Sequence, residues 1–201
     1  MEWVTLKSIF TAAAITAGLG GCTALETYAP AGYKWRTVAA RIKAEESIYR
    51  DCAQSKPSCP SPLMTEWQRK IKEAAGKPPK EQLDIINGFI NERPYMEEEE
   101  NYGRRDYWAS PLEFFMNGGD CEDYAIAKYV SLRRLGFTAE QMRLHVIKHE
   151  DGNHAILSVR LGDETYFLDN IFSTPVTKES IGHYKFLQSV NDQRFVIHNL
   201  F

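Results

Sequence analysis

Cys121 stands in the run Gly119-Asp120-Cys121-Glu122-Asp123-Tyr124, a thiol at the expected start of a helix with carboxylates on either side. The two influences oppose each other. A helix N-terminus favours the thiolate and neighbouring negative charges disfavour it, so a site holding both needs a balancing cation or imidazolium. Farther along come His154, in Gly152-Asn153-His154-Ala155, and Asp169, in Phe167-Leu168-Asp169-Asn170. Cysteine, histidine and aspartate in that order point to thiol hydrolysis. The thiolate attacks, the imidazole carries the proton, and the carboxylate fixes the tautomer and plane of the ring.

Each of these residues also has a plainer reading. Asp120 and Asp123 suit an N-cap and capping-box pair, with Glu122 complementing the helix dipole. A lone cysteine is more often a small buried apolar residue, but the glycine-rich approach and the acidic shell favour the nucleophile. His145 alternates with apolar strand residues, His149 precedes an acidic turn, and His183 and His198 have no chemical context. His154 is preferred because it follows a loop and enters a strand. Asp169-Asn170 also suits a turn, with Asn170 as a second orienting group.

With 201 residues, 43% hydrophobic and 25% charged, the chain has the composition of one soluble globular domain with a sizeable core. Its net charge of -3, with basic residues interleaved among acids, offers no footprint for nucleic acid. Lys7 and the apolar run from Ile9 to Leu19 read as a signal peptide, too short for a membrane span. Leu19-Gly20-Gly21-Cys22 resembles a bacterial lipobox, which would make Cys22 the lipidated first residue of the mature protein. Ordinary cleavage after Ala24 is the alternative, and both imply export to the periplasm. In that oxidising compartment Cys52 and Cys59, which bracket a short loop, are the natural disulfide pair. Closing so small a loop stabilises by roughly 2–3 kcal/mol. Cys121 then remains as the free thiol. No ligand spacing suggests zinc.

The elements that must position these residues follow from periodicity. Residues 1–22 are expected to be a signal peptide, 23–36 a linker and 37–201 a single domain. Helices are predicted from Val38 to Arg50, from Pro62 to Gly76, and around Leu83, Ile86, Phe89 and Ile90 before Pro94. The acidic run Glu97 to Glu100 reads as a solvated turn, and Pro111 opens a short helix. The stretch from Cys121 to Leu135, capped by Gly136, is predicted to be the central buried helix. The apolar period then changes to two, predicting strands at Leu144–Ile147, His154–Leu161, Thr165–Leu168, Tyr184–Val190 and Arg194–His198. This helix-first, sheet-second order predicts an α+β domain in which the nucleophile's helix packs on an antiparallel sheet, as in papain-like folds.

Four motifs carry a family resemblance: Asp106-Tyr107-Trp108-Ala109-Ser110-Pro111-Leu112-Glu113-Phe114, Gly119 to Tyr129, His154-Ala155 and Leu168-Asp169-Asn170. From about Tyr49 to the C-terminal strands the chain resembles the bacterial transglutaminase-like cysteine proteinases. The resemblance implies a transglutaminase-like fold with nucleophile Cys121, base His154 and orienting Asp169. It also implies calcium, held by Asp120, Glu122 and Asp123, with Asp106, Asp151 or backbone carbonyls as further ligands. Hard oxygens suit that ion, though the pattern is not an EF-hand. The oxyanion donors would be the Cys121 N–H and an upstream group near Trp108. In function it implies a periplasmic endopeptidase of biofilm control that cuts a large surface adhesin and is sequestered by a cyclic-di-GMP-controlled inner-membrane receptor. A lipid anchor at Cys22 would depart from the freely soluble form of such proteases. Two other functions fit the same residues: acyl transfer or amide hydrolysis by the same triad, and a non-catalytic calcium-responsive binding module.

Overall fold

The computed structural model describes residues 31–103, 106–149 and 152–198. The expected signal peptide, Cys22 and Asp151 lie outside the described residues. Among the described residues no helix is long and apolar enough to cross a membrane.

The first part of the chain is helical: α1 (Ala31–Ala44), α2 (Glu46–Ala53), α3 (Pro62–Ala74), α4 (Pro79–Asn91), α5 (Glu98–Tyr102), α6 (Pro111–Asn117) and α7 (Cys121–Arg134). Proline in the first turn starts α3, α4 and α6, and the Ser61 and Ser110 side chains cap α3 and α6. Gly136, at φ +98°, turns the chain out of α7. Strands β1 (Met142–His149), β2 (Gly152–Leu161), β3 (Glu164–Leu168), β4 (Lys185–Val190) and β5 (Phe195–Ile197) follow. They form one antiparallel sheet in the order β3-β2-β1-β4-β5. The architecture is the expected α+β domain.

Every residue of α7 from Asp123 to Leu132 is buried, which makes it the axle of the fold. It packs on β2, α4 and α6. Leu144, Leu157, Val159, Leu168 and Val190 join Met64, Trp67, Leu83, Ile86 and Phe114 in the main core. Residues of alternate parity, Ile147, Ile156 and Phe167, form a second cluster with Ile181 and Tyr184 on the other face of the sheet. In the β2–β3 ladder Leu157 pairs with Leu168. Continued by one residue, that register sets Asp169 opposite Ile156 and diagonal to His154, within reach of a side-chain contact.

Three expectations need correction. Residues 31–36, expected in the linker, form the first turns of α1, because Ala31, Trp35 and Val38 continue an apolar stripe that buries them. Trp35 meets Tyr129 edge-on at 4.9 Å. The helix predicted from Val38 to Arg50 is divided at Glu45 between α1 and α2. The acidic run at Glu97 is not a simple solvated turn. It winds into α5, which ends at Gly103 with φ +60°, and Glu98 is half-buried, accepting the Asp106 backbone N–H. Cys52 and Cys59 are joined by a disulfide, and Cys121 is the free cysteine among the described residues.

Candidate active site

The N-terminus of α7 is fixed by the Asp123 side chain. Asp123 accepts the Ala109 N–H on Oδ1 at 2.6 Å and the Asp120 N–H on Oδ2 at 3.3 Å. Gly119 lies so close that a Cβ there would overlap the Asp123 carboxylate. The preceding loop is held by Glu113, which accepts from Ser110 N–H at 2.8 Å, Tyr107 Oη at 2.6 Å and Arg41 Nε at 3.2 Å. Arg41 also donates to the Trp108 carbonyl. Trp108 thus anchors the loop, with the Lys34 ammonium 5.5 Å from its ring centre.

Asp123 therefore serves as the helix cap, the plainer of its two sequence readings, and both of its carboxylate oxygens are engaged by backbone. The acids that do converge are Asp120, Glu122, Glu98 and Asp106. Oxygens of Glu98, Asp106 and Glu122 lie within 4.8 Å of one another, and the same holds for ligand atoms of Asp120, Cys121 and Glu122. Asp120 is 8% exposed, and its Oδ1 is buried with no hydrogen-bond partner; Glu98 Oε1 is in the same condition. Burial, then Glu122, pushes both the Asp120 and the Glu98 carboxyl above the usual range. Lys34 pairs with Asp106, and the charges of Glu122, Glu98 and Asp120 also act on it. One ammonium among four carboxylates, with orphaned oxygens facing inward, fits a hard divalent cation such as calcium.

Cys121 donates its thiol to Glu122 Oε2 at 3.2 Å, while the Ala155 N–H faces its sulfur. Burial, followed by the charges of Glu122 and Asp120, raises the thiol pKa well above its ordinary value, against the lowering effect of the Ala155 N–H. With the acids uncompensated, the sulfur is a thiol rather than a thiolate. The Ala155 contact sets it against the strand residue next to His154.

His154 Nε2 lies 2.8 Å from Asp169 Oδ1, so the carboxylate holds one of the two ring nitrogens. Asp169 is fully buried. It also accepts the Ile171 N–H at 3.0 Å and the Tyr184 hydroxyl at 3.0 Å. Burial alone would raise its pKa, but these hydrogen bonds, led by His154, hold the carboxyl below the usual range. The Asn91 side chain donates to the Asp169 carbonyl at 2.9 Å and pins the turn. Asn170 takes no part, since its Oδ1 has no partner. Of the other histidines, His145 is buried on Ser158 at 2.8 Å and burial takes its pKa down to about 3, which marks a structural residue.

The expected base and orienting acid are thus joined, and the expected nucleophile, with Asp120 and Glu122 beside it, meets the strand residue next to that base. Sequence reasoning missed Glu98, Lys34, Tyr184 and Asn91. Glu98 sits inside a visible acidic run; no local signal marks the other three.

The model of the bacterial transglutaminase-like cysteine proteinases (BTLCP) matches residues 43–196. No curated protein sequence matches the chain. Solved structures of Legionella pneumophila LapG do. The calcium-bound form is 30% identical with a TM-score of 0.65, covering 76% of this chain and 86% of that one. The EGTA-treated form is likewise 30% identical with a TM-score of 0.65, covering 77% and 85%. With the family match spanning most of the chain and the fold shared with LapG, this protein belongs to the bacterial transglutaminase-like cysteine proteinases and is a cysteine peptidase.

Proposed function

We propose that Cys121, His154 and Asp169 are the catalytic triad of a calcium-dependent endopeptidase that works in the periplasm on an exported protein, a large surface adhesin being the substrate class. The observation that carries this reading is the 2.8 Å pairing of His154 Nε2 with fully buried Asp169, set beside a sulfur that meets the Ala155 N–H. Nδ1 takes the thiol proton as the sulfur attacks the scissile carbonyl carbon. The imidazolium returns that proton to the leaving amine, and a thioester remains on Cys121. His154 then removes a proton from water, whose oxygen displaces the sulfur and releases the acid product. As the first residue of α7, Cys121 has a backbone N–H with no partner within the helix, suited to the oxyanion.

Asp120, Glu122, Glu98 and Asp106 are the residues that would hold calcium, and that LapG has been solved in calcium-bound and EGTA-treated forms supports this assignment. The ion would offset the carboxylate charge that keeps the thiol protonated. Export by the N-terminal segment, a lipid anchor at Cys22, and restraint by a cyclic-di-GMP-controlled inner-membrane receptor complete the proposal by kinship with adhesin proteases.

The test compares secreted and surface proteins of wild-type and Cys121→Ala cells. A surface protein that loses a cleavage product in the variant supports the reading. In a parallel reaction with a glutamine peptide and an amine, amide exchange without peptide cleavage would assign acyl transfer instead.

A further inference from the structure

The segment leading out of α4 runs beside the start of α7. Tyr95 forms an isolated parallel bridge with Gly119, and the Met96 N–H donates to the Gly119 carbonyl at 3.0 Å. Gly118, at φ +84°, admits this approach, since a Cβ there would overlap the Met96 side chain. The Tyr124 hydroxyl donates to the Arg93 carbonyl, and the Asn101 side chain donates to the Gly118 carbonyl at 3.0 Å. These contacts fix residues 93–96 against the stretch of chain that leads from Gly118 into Cys121.

The Tyr95 ring lies on that of Tyr124, with centres 6.5 Å apart and planes 21° from parallel. Tyr124 is buried and stands three residues after Cys121, so the two share one side of α7. Tyr95 nevertheless remains 49% exposed. One face of its ring covers Tyr124, and the other is open to solvent. Burial, then the charge of Cys121, raises the phenol pKa, so Tyr95 is a neutral aromatic beside the nucleophile. Two more large apolar side chains stand open next to residues of the site. Met116, 48% exposed, ends α6 just before Gly118, and Ile171, 56% exposed, donates its N–H to Asp169 Oδ1 at 3.0 Å. Exposed apolar side chains beside a reactive group mark a surface that binds.

We propose that Tyr95 is a specificity-determining residue of the hydrolytic site: the open face of its ring receives an apolar side chain of the peptide substrate next to the scissile bond. To present its carbonyl carbon to Cys121, an extended peptide must pass over the start of α7, where the ring lies. Successive side chains of such a peptide point to opposite sides, so one near the scissile bond faces the ring. An apolar side chain there leaves water together with the ring. A polar one of equal size loses its hydration without gaining a hydrogen bond. The inference rests on the Cys121–His154–Asp169 reading and names the substrate class of that site. The two fail differently. A Cys121 that iodoacetamide alkylates but no peptidyl reagent labels defeats the peptidase reading and this inference with it, whereas labelling that ignores the neighbouring side chain defeats this inference alone.

The experiment labels Cys121 of the full chain, in calcium, with peptidyl chloromethyl ketones. They carry leucine, its polar isostere asparagine, or lysine at either of the two positions nearest the reactive carbon. Each rate is divided by the iodoacetamide rate of the same variant, so that a general change in thiol reactivity cancels. Wild type is expected to favour leucine over asparagine by about tenfold or more at one of these positions. Tyr95→Ala should reduce that preference to about threefold or less, while Tyr95→Phe, which keeps the ring, should retain it. Equal rates for leucine and asparagine in wild type, an undiminished preference in Tyr95→Ala, or as large a loss in Tyr95→Phe overturns the proposal. A wild-type preference for lysine would assign the ring to a cation and overturns it as well. If Tyr95→Ala does not fold, Tyr95→Gln, which keeps bulk over Tyr124 and removes the aromatic face, is read by the same ratios.

Discussion

Cys121 donates its thiol hydrogen to Glu122 Oε2 over 3.2 Å, and the same Glu122 carboxylate belongs to the acid group with Glu98 and Asp106. One side chain thus links the Cys121 sulfur to the acid group. Ionising the sulfur in this arrangement would set two negative charges against each other. Glu122→Gln removes that repulsion. We predict that its metal-free alkylation by iodoacetamide at neutral pH is about tenfold faster than wild type, the equivalent of about one pKa unit. The acceleration that calcium brings should shrink correspondingly. Equal metal-free rates would show that Glu122 is not what restrains the thiol.

Asp169 receives three donors, and they are not equivalent. His154 depends on it for tautomer and ring plane, whereas Tyr184 only supports the far oxygen. Asp169→Asn should slow labelling of Cys121 by a peptide electrophile by about a thousandfold or more with the fold retained. Tyr184→Phe should cost about ten- to a hundredfold, the loss of one charge-assisted hydrogen bond to the carboxylate. Near-wild-type labelling in Asp169→Asn would remove the aspartate from the triad.

The raised carboxyls make stability depend on pH in a definite direction. Asp120 and Glu98 have folded-state pKa values above their unfolded values, so the metal-free folded state binds more protons than the unfolded chain. Stability is then lost as pH rises through the window from the unfolded value near 4. For Glu98 that window closes at about 8. Asp169, with a lowered pKa, works in the opposite sense, losing its contribution as pH falls below the unfolded carboxylate value. Melting in EGTA should therefore give a lower Tm at pH 8 than at pH 5.5, and calcium should raise Tm more at pH 8. A metal-free Tm that climbs over this range would contradict the assignment.

Adjacent acids on the same turn are expected to behave oppositely. Asp120 presents a buried, unpartnered oxygen, so Asp120→Ala should weaken calcium binding while stabilising the chelated protein by about 1–2 kcal/mol. Asp123 satisfies two backbone N–H groups, so Asp123→Ala should destabilise by about 2–3 kcal/mol with or without calcium. Urea titrations of both variants in EGTA and in calcium distinguish the roles, and matching losses would erase the distinction.

Lys34 is the ammonium already inside the acid group. Removing a positive charge from a cation site lowers the electrostatic cost of binding a second one. Lys34→Met is predicted to tighten calcium binding by about three- to tenfold in calorimetry and to lower the Tm of the chelated protein. Weaker calcium binding would mean that α1 builds the site rather than competes for it.

The chemistry-bearing residues were legible because each lies where a local signal changes. Gly118-Gly119 ends one helix and the acids begin another, which places Cys121 at the start of α7. The switch from a three-and-four to a two-residue apolar period announced β1, β2 and β3, and with them the hairpin ends that hold His154 and Asp169. Cys52 and Cys59 are close in sequence and could be paired from spacing alone. The N-terminal limit of the domain was harder. Pro30 and Gly32 suggest a linker, whereas the burial of Ala31 and Trp35 against the rest of the core is a tertiary effect.

By its residue order alone the chain determined an α+β fold, a free thiol at a helix start, and the histidine and aspartate that follow it. Such features arise from short-range pattern and backbone chemistry. Only the tertiary structure decided which acid caps the helix and which keeps a buried oxygen without a partner, because Asp120 and Asp123 are alike in sequence and differ in where their oxygens point. It alone brought Lys34 to Asp106 across 72 residues of sequence, turned Glu98 rather than its neighbours inward, and set Tyr184 on Asp169. Those relationships depend on distance and desolvation, and both come into being when the helices close over the sheet.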